Sequence, residues 1–398
     1  MPGFEYFGAA ERKSANEVLE SGVLMRYGFE PMRNGRWMAK EMEAALAERM
    51  QTRHAHLVSS GTAALTVALA CAGVGAGDEV IVPTFTFVAS FEAVLSIGAI
   101  PVLCDIDDSL TLDPKAVLKA ITSKTKVIMP VHMCGSMADL GALSKIAADN
   151  NLILLEDACQ AIGGSYQGQP LGSIGDVGCF SFDYVKTITC GEGGGLITDS
   201  AALYKKAHAY SDHGHDHIGS DRGAEGHPHL GYNYRIGEIN AAIGLVQLSR
   251  LDEFLGIQKN HYSHLREGLE GLPGLTFRKV PEGGVENYSF LNFFMPDEEG
   301  ARQGAKALAE AGFDGVFYWY DNNWHYHRKW EHLKNLESLA PLSQDLIAQF
   351  KDRYPDSFQA SDHWMGRNLS VLIKLSWDQD ELETRSRTLG KVISDILG

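Results

Sequence analysis

Across residues 1–250, brief apolar runs bounded by Gly, Pro, Asp or Asn alternate with stretches whose apolar residues recur every three or four positions. The brief runs, at 79–82, 101–105, 126–132 and 152–156, predict strands, and the intervening 87–97, 114–121 and 140–149 predict helices. Such alternation predicts a mainly parallel sheet covered on both faces. Upstream, 35–53 reads as a helix with Met38, Met42, Leu46 and Met50 on one side, and 56–62 as a strand and turn feeding a helix over 63–72. Downstream, 201–210 and 238–255 also read as helices, the latter pattern continuing to Leu269.

Beyond Gly271-Leu-Pro-Gly274 the pattern changes. Strands at 288–295, 315–318 and 369–373, with helices at 301–311, 341–350 and 380–397, predict a smaller α+β domain. The expected division is therefore 1–250 for an N-terminal segment and large α/β domain, and 251–398 for the C-terminal domain.

Composition narrows the partners. The 398 residues include 35 basic and 51 acidic side chains, a net charge of −16, which disfavours nucleic acid and anionic membranes. Cys71, Cys104, Cys134, Cys159, Cys179 and Cys190 form no CxxC pair, as suits a reducing, cytoplasmic setting. The opening residues lack the basic start and apolar run of a signal peptide. Gly, Pro and Glu interrupt the apolar stretches 57–77 and 80–104, so no membrane span is expected.

Candidate chemistry centres on residues 176–195, where an apolar strand, Lys186 and the glycine-rich return Gly191-Glu-Gly-Gly-Gly195 follow one another. A lysine so placed becomes a Schiff-base nucleophile if its amine is kept unprotonated, and is otherwise a surface loop residue. Ser59-Ser-Gly-Thr62 opens a helix, where unpaired amides suit a phosphate, although Ser60 or Thr62 could simply cap it. Asp157 ends a buried strand, the usual ligand edge of such sheets, or caps the next helix. His213, His215 and His217, with His227 and His229 nearby, lack the helical spacing of a metal site, and no metal is expected. The run Phe317-Tyr-Trp-Tyr-Asp-Asn-Asn-Trp-His-Tyr-His327 suits either a sugar-pocket wall or a packing strip between domains.

A phosphate-type helix start (Gly61, Thr62), an aromatic after a strand (Phe87), a strand-end acid (Asp157) and a lysine (Lys186) are together what a pyridoxal phosphate enzyme needs. The sequence resembles the DegT/DnrJ/EryC1/StrS family of sugar aminotransferases through Ser59-Ser-Gly-Thr-Ala-Ala-Leu65, Gly77 to Phe87, Glu156-Asp-Ala-Cys-Gln160, Phe180-Ser-Phe182, Lys186, Gly191-Glu-Gly-Gly194 and Gly231-Tyr-Asn-Tyr-Arg235. The resemblance implies the aspartate aminotransferase fold, with a mainly parallel seven-stranded sheet and a smaller C-terminal domain. It implies that Lys186 is the Schiff-base lysine, Asp157 faces the pyridine nitrogen, Gln160 lies near the ring hydroxyl and Phe87 stacks on the ring. Gly61, Thr62 and Ser181 would hold the phosphate. Asn233 would reach the cofactor of a neighbouring subunit, making a homodimer.

By the same resemblance L-glutamate is the amino donor and a keto or aldehydo sugar the acceptor. Pro2 to Gly8, Arg26-Tyr-Gly-Phe29, the histidine loop and Trp319 to His325 look most like the subgroup that aminates C8 of an octulosonate, giving 8-amino-3,8-dideoxy-manno-octulosonate, a lipopolysaccharide sugar. A nucleotide-linked keto-hexose is the alternative acceptor, and a non-catalytic cofactor-binding regulator the alternative of another class. Related dehydratases are disfavoured, since they resemble this chain with histidine in place of the lysine. An octulosonate carboxylate calls for a cation, with Arg26 and Arg235 as candidates beside Tyr320 and His325 as substrate residues, although a surface ion pair or capping contact is the better account of either arginine singly.

Overall fold

Each brief apolar run becomes a strand because it can be covered on both faces. In the computed structural model, which describes residues 3–219, 222–355 and 357–398, the strands are β1 His54–Val58, β2 Glu79–Pro83, β3 Ile100–Cys104, β4 Thr125–Ile128, β5 Ile153–Asp157, β6 Val177–Ser181 and β7 Gly194–Thr198. They form one seven-stranded sheet in the order β1-β7-β6-β5-β4-β2-β3. Only β7 runs antiparallel to its neighbours. Every residue of β2, β3, β6 and β7 is buried, as expected for a sheet packed on both sides.

The helix Gly61–Cys71 is buried on nearly all sides, which its small alanines permit, and Ser60 caps it by accepting the Ala63 N–H at 3.0 Å. The expected helix at 35–53 is observed as Met38–Arg49, with Met38, Met42, Leu46 and Met50 all buried. The long pattern at 238–269 divides into Glu238–Ser249 and Leu251–Glu267 at Arg250. A further helix, Ala9–Ser21, packs on Glu238–Ser249.

The smaller C-terminal domain has a four-stranded antiparallel sheet of β8 Thr276–Phe277, β9 Phe290–Phe294, β10 Val316–Phe317 and β11 Asn368–Leu372, in the order β8-β9-β11-β10. Helices Leu251–Glu267, Glu298–Glu310 and Gln379–Leu397 cover it, burying Leu265, Leu291, Phe293, Leu308, Leu389 and Ile393 together. A cut at residue 250 does not describe the packing after it. Trp330, Leu333, Leu336, Leu346, Phe350 and Phe358 belong to the large-domain core, so the chain returns there before entering β11. Among the described residues no helix is long and apolar enough to cross a membrane.

Candidate active site

The parallel strands end at one edge of the sheet, and Asp157, Ser181, Lys186, Gln160, Gly61 and Phe87 of the expected cofactor residues lie around it. Strand alternation sends the two acids ending β5 to opposite faces. Glu156 turns inward, accepting the amides of Gly172, Ile174 and Gly175 at 2.6–2.7 Å and pairing with His132 at 2.9 Å. Asp157 points the other way. It is 3% exposed, with Oδ2 accepting the Ser90 hydroxyl at 2.9 Å and Oδ1 accepting the Cys159 N–H at 3.2 Å.

At the end of β6, Ser181 meets the start of helix Gly61–Cys71. A Cβ on Gly61 would lie 2.8 Å from Ser181 Cβ and 3.1 Å from its Oγ, so the absent side chain leaves the space in which the first helical amides open. Thr62 follows with an exposed side chain. The glycine-rich return is equally constrained: a side chain on Gly194 would collide with the Ser60 carbonyl and the Gly61 amide.

Lys186 sits half-buried in the loop between β6 and β7. Its side chain lies near Cys159, Cys134 and His325, close enough to act on all three electrostatically. Gln160 Oε1 accepts the Cys134 N–H at 3.0 Å, which leaves its Nε2 to donate elsewhere.

The aromatic run supplies the opposite wall. Thr86 and Val88 donate N–H bonds to the carbonyls of His325 and Trp324, each at 3.0 Å, and Phe85 pairs with Tyr326 in antiparallel register. This pairing sets the Phe87 ring 5.4 Å from His325 and 6.0 Å from Trp324. Burial, with Lys186 adding to it, pulls the His325 imidazole down to about 3, so it is neutral near pH 7. Asn322 Oδ1 accepts from Trp324 N at 2.8 Å and lies 3.1 Å from His325 Nδ1. Nδ1 therefore carries the proton and Nε2 is the basic nitrogen.

Lys186, Asp157, Gln160, Ser181, Gly61, Phe87 and His325 are thus set around the ends of β5 and β6. Other expected site residues lie elsewhere. Arg26 requires correction: it is 2% exposed and ion-paired with Glu43 beside His56, so it is an internal charge and no substrate contact. Tyr320 is 8% exposed and packs on Tyr326 under Arg328, which makes that part of the run a packing strip. Arg235 pairs with Asp212, which Arg222 also holds. Asn233 is exposed on a segment paired to Asp212, and the neighbouring Tyr234 and Arg235 pair with Ser59 and Val58 just before the helix start.

The histidine loop lies against acidic side chains: His215 Nδ1 is 2.9 Å from Glu225 and His217 Nε2 is 3.5 Å from Asp212. Among the described residues no three His, Cys, Asp or Glu side chains converge to hold a metal. Residues 220 and 221 of this loop, and Pro2 of the opening segment, lie outside the described residues. Sequence reasoning missed Ser90, whose only signal is a small polar residue in an apolar helical pattern, and Asn322, which fixes the His325 tautomer.

The model of the DegT/DnrJ/EryC1/StrS aminotransferase family matches residues 7–350. The chain is 38% identical over 285 residues to the 3-amino-5-hydroxybenzoate synthase of Amycolatopsis mediterranei (strain S699), covering 71% of this chain and 70% of that protein. It is 34% identical over 314 residues to the GDP-perosamine synthase of Vibrio cholerae, 79% of each. The structure of S. venezuelae DesV in complex with a ketimine intermediate is similar with a TM-score of 0.79 at 27% identity, over 98% of this chain and 96% of that chain. The fold, the site at the strand ends and the family match agree: the chain is an enzyme belonging to the DegT/DnrJ/EryC1/StrS aminotransferase family.

Proposed function

We propose that the enzyme uses pyridoxal 5'-phosphate to move the amino group of L-glutamate to a keto or aldehydo sugar. The observation that carries this is the placing of the Lys186 amine, the buried Asp157 carboxylate and the side-chain-free start of helix Gly61–Cys71 around one sheet edge. The space that a Gly61 Cβ would fill, beside the Ser181 hydroxyl, suits a phosphate group. Asp157, an acceptor when ionised, suits a protonated pyridine nitrogen. Gln160 Nε2 suits the ring hydroxyl, and Phe87 the ring face.

When bound, the cofactor supplies the electron sink that stabilises a carbanion. The chain's own work is done by few groups. Lys186 Nζ takes a proton from the α-carbon of the amino donor and, in the second half of the cycle, gives one to the carbon that receives nitrogen. Asp157 would hold the cofactor's ring-nitrogen proton, and Ser90 and the Cys159 amide hold Asp157. Neutral His325, with Nε2 as acceptor, can receive a substrate hydroxyl without adding a second cation beside Lys186.

Lys186→Ala protein should bind no Schiff-base chromophore and have no turnover with glutamate. Retained transamination in that variant would remove the central assignment.

For the acceptor we infer C8 of 3,8-dideoxy-8-oxo-manno-octulosonate, giving 8-amino-3,8-dideoxy-manno-octulosonate for lipopolysaccharide. The support is the sequence of residues 2–8 and 319–325, together with a relative whose named product, an aminohydroxybenzoate, bears a carboxylate and no nucleotide. With Arg26 internal, Arg235 is the remaining arginine candidate for the carboxylate; it is already paired with Asp212, on the segment that carries exposed Asn233, so it would serve the partner's site rather than its own. The GDP-perosamine synthase likeness favours the second reading, a nucleotide-linked keto-hexose. Initial rates with glutamate and each acceptor decide between them: preference for the nucleotide sugar overturns the octulosonate assignment and leaves transamination intact.

The reading includes a homodimer. Asn233, exposed in one chain beside Leu230 and Tyr232 at 89% and 54% exposure, would complete the phosphate site of the partner. A cytoplasmic setting suits the six free cysteines.

A further inference from the structure

Residues 3–6 take no part in the chemistry above, yet they lie against the loop that carries Lys186. That loop, between β6 and β7, contains neither strand nor helix, so individual contacts must hold the lysine's backbone. The Lys186 N–H donates to the Asp183 carbonyl at 3.0 Å, and the Lys186 carbonyl accepts the Gly3 N–H at 2.9 Å. Gly3 is buried. A Cβ there would stand 2.6 Å from both the Thr187 carbonyl oxygen and Gln247 Oε1, so glycine alone permits this approach.

The next three residues each hold a different part of the molecule. Phe4 stacks on Tyr184 in the same loop, with ring centroids 4.6 Å apart and planes 12° from parallel. Glu5 Oε2 accepts the amides of Leu375 and Ser376, both at 2.8 Å, on the chain leaving β11 of the small domain. The Tyr6 carbonyl accepts Arg250 Nη1 at 2.7 Å, at the break between the two long helices.

We infer that residues 3–6 form a brace that positions Lys186, and that Glu5 is the positioning residue that anchors the brace to the domain junction. This rests on the aminotransferase reading, in which Lys186 Nζ returns to one place for two proton transfers. Misplacing such a group by about 1 Å costs up to about a hundredfold in rate. Glu5 never meets substrate; it acts through the Gly3 peptide on the Lys186 carbonyl.

The test uses full-length Glu5→Ala and Glu5→Gln with two readouts: backbone hydrogen exchange of residues 183–190 in cofactor-free protein, and the single-turnover reaction of loaded enzyme with glutamate. Glu5→Ala should exchange about tenfold faster over that loop and react about tenfold slower, with the half-saturating glutamate concentration within about twofold of wild type. Glu5→Gln should stay near wild type in both, since its amide oxygen accepts the same two N–H groups. Should Glu5→Ala fail to fold, Phe4→Ala should show the same pattern through loss of the Tyr184 stack. Unchanged loop exchange in the alanine variant, or a glutamine variant as impaired as alanine, overturns the brace. Faster loop exchange in a protein whose wild type does not react with glutamate keeps the brace and removes glutamate as the amino donor.

Discussion

Asp157 is held by a short relay of hydroxyls that fixes where its charge sits. The Ser90 proton goes to Asp157 Oδ2 at 2.9 Å, and Thr86 Oγ1, 2.6 Å from Ser90 Oγ and 3.2 Å from the Phe87 carbonyl, shares its one proton between those two acceptors. All three residues are buried, and Thr86 directly precedes Phe87, so the two faces of the proposed ring site are linked through one serine. Ser90→Ala would leave a buried carboxylate oxygen without its donor. A hydrogen bond to a charged group contributes about 1.5–3 kcal/mol, so single turnover with glutamate should slow by about tenfold to a hundredfold. Ser90→Thr keeps the hydroxyl and should recover most of the rate. A wild-type rate in the alanine variant would show that Asp157 needs no such donor.

At the scale of elements, short buried strands and periodic helices were legible because burial leaves a local signature in the chain. Ile153–Asp157 and Val177–Ser181 announce themselves as apolar runs, and the chemistry at their ends follows from strand direction. Three features depend on partners far away in sequence and leave no such signature. Helix Ala9–Ser21 buries only Val18 and Glu11, too little for a periodic stripe, and is secured where Glu11 accepts Gly8 N–H, Gln247 and Arg250. The break at Arg250 arises where its guanidinium is drawn to Tyr6 and Glu11, which no window of the helix contains. The return of residues 330–358 to the large-domain core cannot be read from amphipathic spacing, which says that a face is buried and not against what. Arg26 fails as a substrate residue for the same reason: the sequence shows its charge, and only the fold shows Glu43 and His56 beside it.

At the scale of the whole molecule, five buried or half-buried histidines are held neutral, and an acid sensitivity follows from them. Burial pulls His208 down to about 2 and His325 and His327 to about 3, and it also lowers His56 and His217. The unfolded chain regains the ordinary value of about 6.5 for each. Below that value the unfolded state binds more protons than the folded one, so this stability is fully present above pH 6.5 and drains as pH falls toward the folded values. Glu43 adds a second, lower window: burial alone would raise it, Arg26 outweighs burial and holds it at about 2, and its contribution is lost only as pH falls from about 4.5 toward 2. Unfolding by urea of the cofactor-free protein should therefore show stability falling between pH 7.5 and 5.5, before the carboxylates titrate, by up to about 1.4 kcal/mol per pH unit for each histidine once it is fully engaged. His208 packs against His56 and His217, with ring centroids 4.9 and 4.2 Å away, so protonating any one of the three works against its neighbours. His208→Gln removes one of these protons and should flatten the slope by about one proton equivalent. A slope unchanged by that substitution would mean that His208 is protonated in the folded protein, and that the cluster around Arg26 tolerates a further buried cation.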